Sequence, residues 1–143
     1  MNEGLPRVRF LDAVQKAFSN YKDYNGRSRR SEYWFFGLFV CFVLVTFEIV
    51  FLVLSLIIPP LRGIGSYLGF VILIPCLPFS IPLGVRRLHD IGKTGYFMFL
   101  LLIPIVGFYI LYLASIDSVR ETNEYGPSPK YSNADPSSLT VAE

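Results

Sequence analysis

Three long apolar runs, separated by short polar stretches, dominate the central part of the chain. The first covers residues 35–58 and carries one charged residue, Glu48, while the runs at 67–85 and 96–116 carry none. At 1.5 Å per helical residue the first run would reach roughly 36 Å, more than the ~30 Å hydrocarbon core of a bilayer. The pattern therefore predicts an all-α integral membrane bundle of three transmembrane helices.

The residues before the first run show the pattern of an amphipathic helix over residues 7–22. Apolar side chains recur at helical spacing along one face, and charged or polar side chains occupy the other. The apolar face consists of Phe10, Leu11, Val14, Ala17, Phe18 and Tyr21. Such a helix can lie in the lipid headgroup region or pack against the cytoplasmic ends of the spans. The sequence leaves both arrangements open, and both can hold at once.

The residues after the third run have little apolar surface to bury. Turn-forming residues fill 123–129, and Ser, Asn, Asp, Pro and Thr dominate from Tyr131 onward. We therefore expect three parts along the chain. They are an amphipathic cytoplasmic N-terminal segment at 1–25, a three-span membrane domain at 26–117, and a polar, largely disordered C-terminal tail at 118–143.

Composition and charge support a membrane protein. Charged residues make up only 17% of the 143 residues, whereas soluble domains carry about a quarter. Ten lysines and arginines precede the first run or lie between the second and third, and three lie on the opposite side, namely Arg62, Arg120 and Lys130. The positive-inside rule then predicts a cytoplasmic N-terminus and a C-terminus on the opposite side. No signal-peptide cleavage site is evident, so we expect the first span to remain as an anchor.

Two polar constellations flank the runs on the cytoplasmic side. The first, at residues 26–34, contains Arg27, Arg29, Arg30 and Glu32. Arginines at a helix entrance orient the helix, and they can also bind lipid phosphate through two parallel hydrogen bonds. Glu32 is well placed to accept a hydrogen bond from an arginine of the other constellation.

The second constellation, at residues 86–95, contains Arg86, Arg87, His89 and Asp90. His89 beside Asp90 raises the alternative of an enzyme acting on lipid headgroups. Neighbours in sequence rarely face each other, however, and no serine or cysteine nucleophile accompanies them. A single histidine also lacks the companions of a metal site. We therefore expect Asp90 to pair with an arginine and His89 to bond backbone, and we predict neither catalysis nor a metal.

Glu48 is the one acid inside a predicted span. An ionised carboxylate near the bilayer centre costs about 3 kcal/mol on insertion scales. We expect a protonated Glu48 that faces the bundle interior and hydrogen-bonds to a group such as Ser80 or Tyr109. The alternative is a proton or ion site. That would make the chain a subunit of an oligomeric transporter or channel, because three helices enclose no pathway alone.

Four stretches of the chain together resemble one protein family. They are residues 26–34, 86–95, 103–107 and 123–129, with the sequences GRSR and EYW, RRLHD followed by two glycines, IPIVG, and NEYGP followed by a further proline. In this order they are similar to the YhaH-like small bacterial inner-membrane proteins, domain of unknown function family 805. The resemblance implies a helical protein of the bacterial inner membrane without an established activity, substrate or cofactor.

The function we expect is that of a non-enzymatic membrane component. Its cytoplasmic interface would bind anionic lipid headgroups or a partner protein through Arg27, Arg29, Arg30, Glu32, Arg86, Arg87, His89 and Asp90. We expect membrane lipids, and a protein partner or a homo-oligomer, as partners, with no nucleic acid and no cofactor.

The three-span arrangement separates this interface from residues 123–129, which would lie across the membrane. A third segment that folds back at Pro104 and Gly107 would bring the two together. We expect a simple crossing instead, because 21 consecutive apolar residues suit one.

Overall fold

The computed structural model describes residues 8–61 and 64–131, and within them every regular element is a helix. The four α-helices are α1 (Phe10–Ser19), α2 (Arg30–Ile57), α3 (Ile64–Asp90) and α4 (Pro104–Ser115). Two 3-10 helices cover Pro59–Leu61 and Gly95–Leu102. The predicted all-α fold is confirmed.

The helices α2 and α3 form an antiparallel pair, and both are long enough to span a membrane. Their 28 and 27 residues correspond to roughly 42 and 40 Å. Both are strongly apolar along most of their length, and only 6% and 17% of their most apolar stretches is buried. Neighbouring elements would cover the core helix of a soluble protein, so these exposed apolar surfaces suit contact with lipid.

The amphipathic helix is confirmed as α1, which is shorter than the predicted 7–22. Its small residues Ala13 and Ala17 are each 1% exposed. The ring of Phe18 packs edge-on against Phe36 of α2 and Phe79 of α3, with ring centroids 5.8 and 4.7 Å apart. Of the two arrangements that the sequence left open, packing of α1 on the ends of the long helices is confirmed, and contact with the headgroup region stays a prediction.

The third apolar run is not one helix. Residue Ile103 is extended, with φ −103° and ψ 107°, between the 3-10 helix and the first residue of α4, Pro104. A proline disfavours helical backbone in the residue before it, so this dipeptide breaks the run near its middle. The predicted third spanning helix over 96–116 is therefore not confirmed, and two helices of spanning length remain in the described residues.

The two halves of the third run fold back on each other. The 3-10 helix and α4 contain 8 and 12 residues, or roughly 16 and 18 Å, which is about half of a bilayer core. Ile110 and Leu113 of α4 pack with Leu88 of α3. We call Gly95–Ser115 the folded-back segment, because it ends beside the same end of α3 from which it started.

The first part of the expected disordered tail packs against the helices. Ser128 is 2% exposed, and Asn123 and Gly126 exchange backbone hydrogen bonds of 3.2 and 2.9 Å across a tight turn. The expectation that this stretch lies across the membrane from the arginines is wrong, because the folded-back segment returns the chain to them. Residues 132–143 and 1–7, which belong to the predicted terminal segments, lie outside the described residues.

Candidate functional site

Arg27 lies at the centre of a buried polar cluster where α2 begins and α3 ends. Its Nε donates to Asp90 Oδ1 at 2.9 Å, and its Nη2 donates to the backbone carbonyls of Asp90 at 3.1 Å and Val119 at 2.6 Å. Its Nη1 donates to the carbonyls of Glu121 at 2.8 Å and Gly126 at 3.1 Å. A guanidinium has five N–H donors, so this one is fully occupied by the protein.

Arg87 completes the cluster from within α3. Its Nη1 donates to the second carboxylate oxygen of Asp90 at 2.5 Å, and its Nε donates to the carbonyl of Ala114 at 3.0 Å. Its Nη2 donates to the carbonyl of Ile116. One carboxylate therefore bridges two guanidinium groups, and both arginines also satisfy carbonyls at the end of α4 or beyond it.

These three side chains are internal to the fold. The side chains of Arg27, Arg87 and Asp90 are 1%, 1% and 0% exposed. A buried ion pair is tolerated only when hydrogen bonds satisfy its remaining donors and acceptors, and the backbone carbonyls supply that here. The expected pairing of Asp90 with an arginine is confirmed. The expected availability of Arg27 to lipid phosphate does not fit its five internal bonds.

His89 joins the segment after α4 to the end of α3. Its ring stacks on Tyr125 with centroids 3.7 Å apart and planes inclined by 5°. Its Nδ1 lies 3.2 Å from the carbonyl oxygen of Gly26, and its own carbonyl accepts a hydrogen bond from Asn123 Nδ2 at 2.9 Å. The predicted backbone contact of His89 is confirmed.

His89 and Asp90 do not form an acid–base pair. The two carboxylate oxygens of Asp90 face Arg27 and Arg87, whereas the imidazole of His89 faces Gly26 and Tyr125. Among the described residues, no group of three or more His, Cys, Asp or Glu side chains could hold a metal ion. The geometry gives the proposed headgroup enzyme no catalytic pair at this position.

Glu32 is buried, but its partner differs from the predicted one. Its Oε1 accepts a hydrogen bond from Lys16 Nζ of α1 at 2.8 Å. We expected an arginine of the other constellation as the donor. Arg86 is 3% exposed, and its Nη1 lies 3.8 Å from Asp23 Oδ2. Glu32 therefore attaches α1 to the start of α2, a contact that amphipathic spacing alone does not specify.

Arg29 and Arg30 link the start of α2 to the chain after α4. Arg29 Nε donates to the carbonyl of Pro129 at 2.6 Å. Arg30 Nε lies 4.0 Å from Asp117 Oδ1, and Lys130 Nζ donates to Asp117 Oδ2 at 2.5 Å. Partial burial acts to raise the pKa of Asp117. The hydrogen bond from Lys130 and the nearby cations outweigh this effect, so the pKa lies below its usual value.

Glu48 reaches the neighbouring helix but is not enclosed by the bundle. Its side chain is exposed beside α3, with Oε1 lying over Gly69, where a larger residue would collide with it. Ser80, an expected partner, instead donates to the carbonyl of Cys76 at 2.9 Å. The predicted hydrogen bond to Ser80 or Tyr109 is absent from the described residues.

The eight site residues predicted from the sequence thus lie at one end of the bundle, and most are buried. Sequence reasoning missed Asn123, Tyr125 and the carbonyls of residues 119, 121 and 126, which bind His89 or Arg27. Carbonyl acceptors have no side-chain signature. The turn formers at 123–129 predicted a tight turn there, but not that its carbonyl groups would point at Arg27.

Comparison with known proteins agrees with this architecture. Residues 21–127 match the family model described as a protein of unknown function, DUF805. The chain belongs to this family. The matched range of this DUF805 chain includes Arg27 and the residues to which it donates hydrogen bonds, from Asp90 to Gly126. No solved structure matches the chain.

Two curated relatives of this DUF805 chain come from Escherichia coli strain K12. The chain is 31% identical to inner membrane protein YhaI over 113 residues, which cover 78% of this chain and 90% of YhaI. It is 29% identical to inner membrane protein YhaH over 126 residues, which cover 84% of this chain and 98% of YhaH. These names and the two spanning-length helices support a location in the bacterial inner membrane.

Proposed function

We propose that the protein is a non-enzymatic component of the bacterial inner membrane that binds anionic lipid headgroups. Binding takes place at the end of the bundle where α2 begins and α3 ends, which we call the polar end. The placement of its cations carries this proposal. All eleven lysines and arginines within the described residues lie where α2 begins and α3 ends, or on the segments packed there. Each cation near an anionic leaflet contributes about 1 kcal/mol of attraction.

The cations that can reach lipid differ from those that the sequence analysis favoured. The guanidinium groups of Arg27 and Arg87 are buried and bonded within the protein. Lys22, which follows α1, and Lys93, which follows α3, are exposed, and the side chain of Arg30 is 53% exposed. We therefore assign headgroup binding to these exposed cations. The buried arginines stabilise the fold that holds the exposed cations at the polar end.

The same placement supports a cytoplasmic polar end. The sequence count put Arg120 and Lys130 on the opposite side, whereas both belong to the segment packed at the polar end. With these two residues, more lysines and arginines lie at the polar end than the sequence count gave, and the positive-inside rule then favours the cytoplasmic side for it more strongly. We propose that the N-terminal helix and residues 117–131 share the cytoplasmic face, where anionic lipid provides the attraction.

The test is lipid binding by the purified full chain. The protein is placed in nanodiscs of phosphatidylcholine with increasing fractions of phosphatidylglycerol, and its thermal unfolding temperature is followed. We expect the anionic lipid to raise the unfolding temperature. The double variant Lys22→Gln/Lys93→Gln should lose much of the increase, and the charge-preserving Lys22→Arg/Lys93→Arg should retain it. An unfolding temperature that does not respond to phosphatidylglycerol would overturn the proposal and favour a protein partner instead.

A further inference from the structure

An apolar groove of about 810 Å³ runs between α3 and the 3-10 half of the folded-back segment. On α3 it is lined by Leu77, Ile81, Val85 and His89, which recur every four residues and therefore share one helix face. The twelve-residue interval from Leu77 to His89 spans roughly 18 Å, close to the depth of one bilayer leaflet. The groove thus has the length of a single lipid chain.

The polarity of the groove changes along its length. Leucine, isoleucine, methionine and aromatic side chains surround the part that lies away from the bundle's polar end. At the polar end its walls are formed by Tyr24, Asn25, Thr94 and Tyr125 around His89. An apolar channel with one polar end matches an amphiphile that lies parallel to the helices, with its head at the membrane surface.

His89 supplies a free hydrogen-bond acceptor at the polar end. A carbonyl oxygen only accepts, so the contact with Gly26 requires the proton on Nδ1 and leaves Nε2 bare in the neutral ring. The residue is 8% exposed, and no described residue donates to Nε2. This nitrogen lies 3.5 Å from the point where a Cβ of Gly95 would stand, and both residues line the groove. A ligand in the groove can therefore donate to Nε2.

We propose that the groove binds one acyl chain of phosphatidylglycerol, whose headgroup hydroxyl donates to His89 Nε2. The exposed Lys93, which directly precedes the groove residue Thr94, supplies the charge that complements the lipid phosphate. This inference rests on the proposed binding of anionic headgroups and names the lipid and the position of its chain. It requires no chemical change in either molecule.

The experiment compares three lipids of matched chain length by native mass spectrometry of the full chain. Phosphatidylglycerol carries both the negative charge and the hydroxyl donor, phosphatidylethanol is a phosphodiester with the same single charge but no headgroup hydroxyl, and phosphatidylcholine lacks net charge and donor. We expect binding to decrease in that order. One net hydrogen bond corresponds to about a fivefold difference between the first two lipids.

Variants separate the groove from the cationic surface. Ile81→Trp fills the groove and should weaken phosphatidylglycerol binding by more than about tenfold, because several methylene groups lose their apolar contact. Leu38→Trp, at an exposed position on α2 at a similar distance from the polar end, is the matched control and should bind normally. His89→Leu should reduce phosphatidylglycerol binding to the level of phosphatidylethanol.

The outcomes distinguish this inference from the proposed function. Equal binding of phosphatidylglycerol and phosphatidylethanol, both above phosphatidylcholine, would keep headgroup binding and overturn the role of His89. Normal binding by Ile81→Trp would overturn the groove as the chain site. Equal binding of all three lipids would overturn the proposed function itself. The lipid comparison uses the unaltered protein, so the inference stays testable if His89→Leu fails to fold.

Discussion

The guanidinium Nε of Arg27 lies 2.9 Å from the carboxylate Oδ1 of Asp90, although 63 residues separate them in the chain. Arg27 lies shortly before the first residue of α2, and Asp90 is the last residue of α3. Because both side chains are at most 1% exposed, neither charge is compensated by water. The pair forms only when the fold brings the two helix ends together, and the pair in turn stabilises that contact.

Replacing Arg27 with lysine should destabilise the protein strongly. An ammonium group has three donors and cannot reproduce a planar fork that contacts one carboxylate and four carbonyl groups. We expect the free energy of unfolding to fall by about 3 kcal/mol, because lysine leaves two of the five buried acceptors without a donor, at about 1–3 kcal/mol each. Thermal unfolding in detergent measures the change. The control is Arg9→Lys at an exposed position, and equal stability of the two variants would contradict the argument.

Asp90→Asn should have a much larger effect than Asp117→Asn. The first change removes the carboxylate that two buried guanidinium groups share, so both positive charges lose their counter-ion. The side chain of Asp117 is 45% exposed, where ion pairs contribute about 1 kcal/mol or less. Unfolding temperatures of the two variants, measured side by side, test this order. The reverse order would show that the Arg27–Asp90 contact is not a main source of stability.

Removing the chain after Ile116 should destabilise the protein, and removing it after Tyr131 should leave Arg27 unaffected. The longer deletion takes away three of the carbonyl groups that Arg27 bonds, at residues 119, 121 and 126, and leaves buried donors unsatisfied. The shorter deletion keeps all of them. Protease sensitivity and expression level of the two truncated chains provide the measurement. Similar behaviour of both chains would mean that these carbonyl contacts contribute little.

Reporter fusions should place both termini on the cytoplasmic side. The segment after α4 binds Arg27 and His89 at the end of the bundle where α2 begins, so the third apolar run does not carry the chain across the membrane. A fluorescent reporter at the C-terminus should fluoresce, and a phosphatase at the same position should be inactive. The same pair of fusions in the short link between α2 and α3 is the control and should give the opposite result. An active C-terminal phosphatase would support a third crossing.

The accuracy of the sequence-based predictions differed between elements for physical reasons. The helices α2 and α3 could be predicted from the length of each apolar run and its lack of charge, because a spanning helix needs about 20 consecutive apolar residues whatever its tertiary contacts. The run at 96–116 has the same composition, yet Ile103 and Pro104 break it and its halves pair with each other. Its length suits one crossing or a return to the same surface, and the packing of Ile110 on Leu88 selects the return.

The candidate site shows the same limit. The residue types at 26–34 and 86–90 identified which polar groups come together, and Asp90 was correctly expected to pair with an arginine. Which donors remain available for a ligand could not be predicted. Arg27 is saturated by backbone carbonyls about ninety residues away or more, and Nε2 of His89 is left without a donor by the orientation of its ring.

The sequence by itself determined a helical membrane protein with ten of its thirteen cations and its two polar constellations on one side, because hydrophobicity and charge act locally and additively. Only the tertiary structure decided that the third run folds back, that its return buries the arginines, and that a groove opens beside His89. Those features depend on contacts between residues distant in sequence. Their energies come from satisfying buried donors and acceptors together, which no single segment encodes.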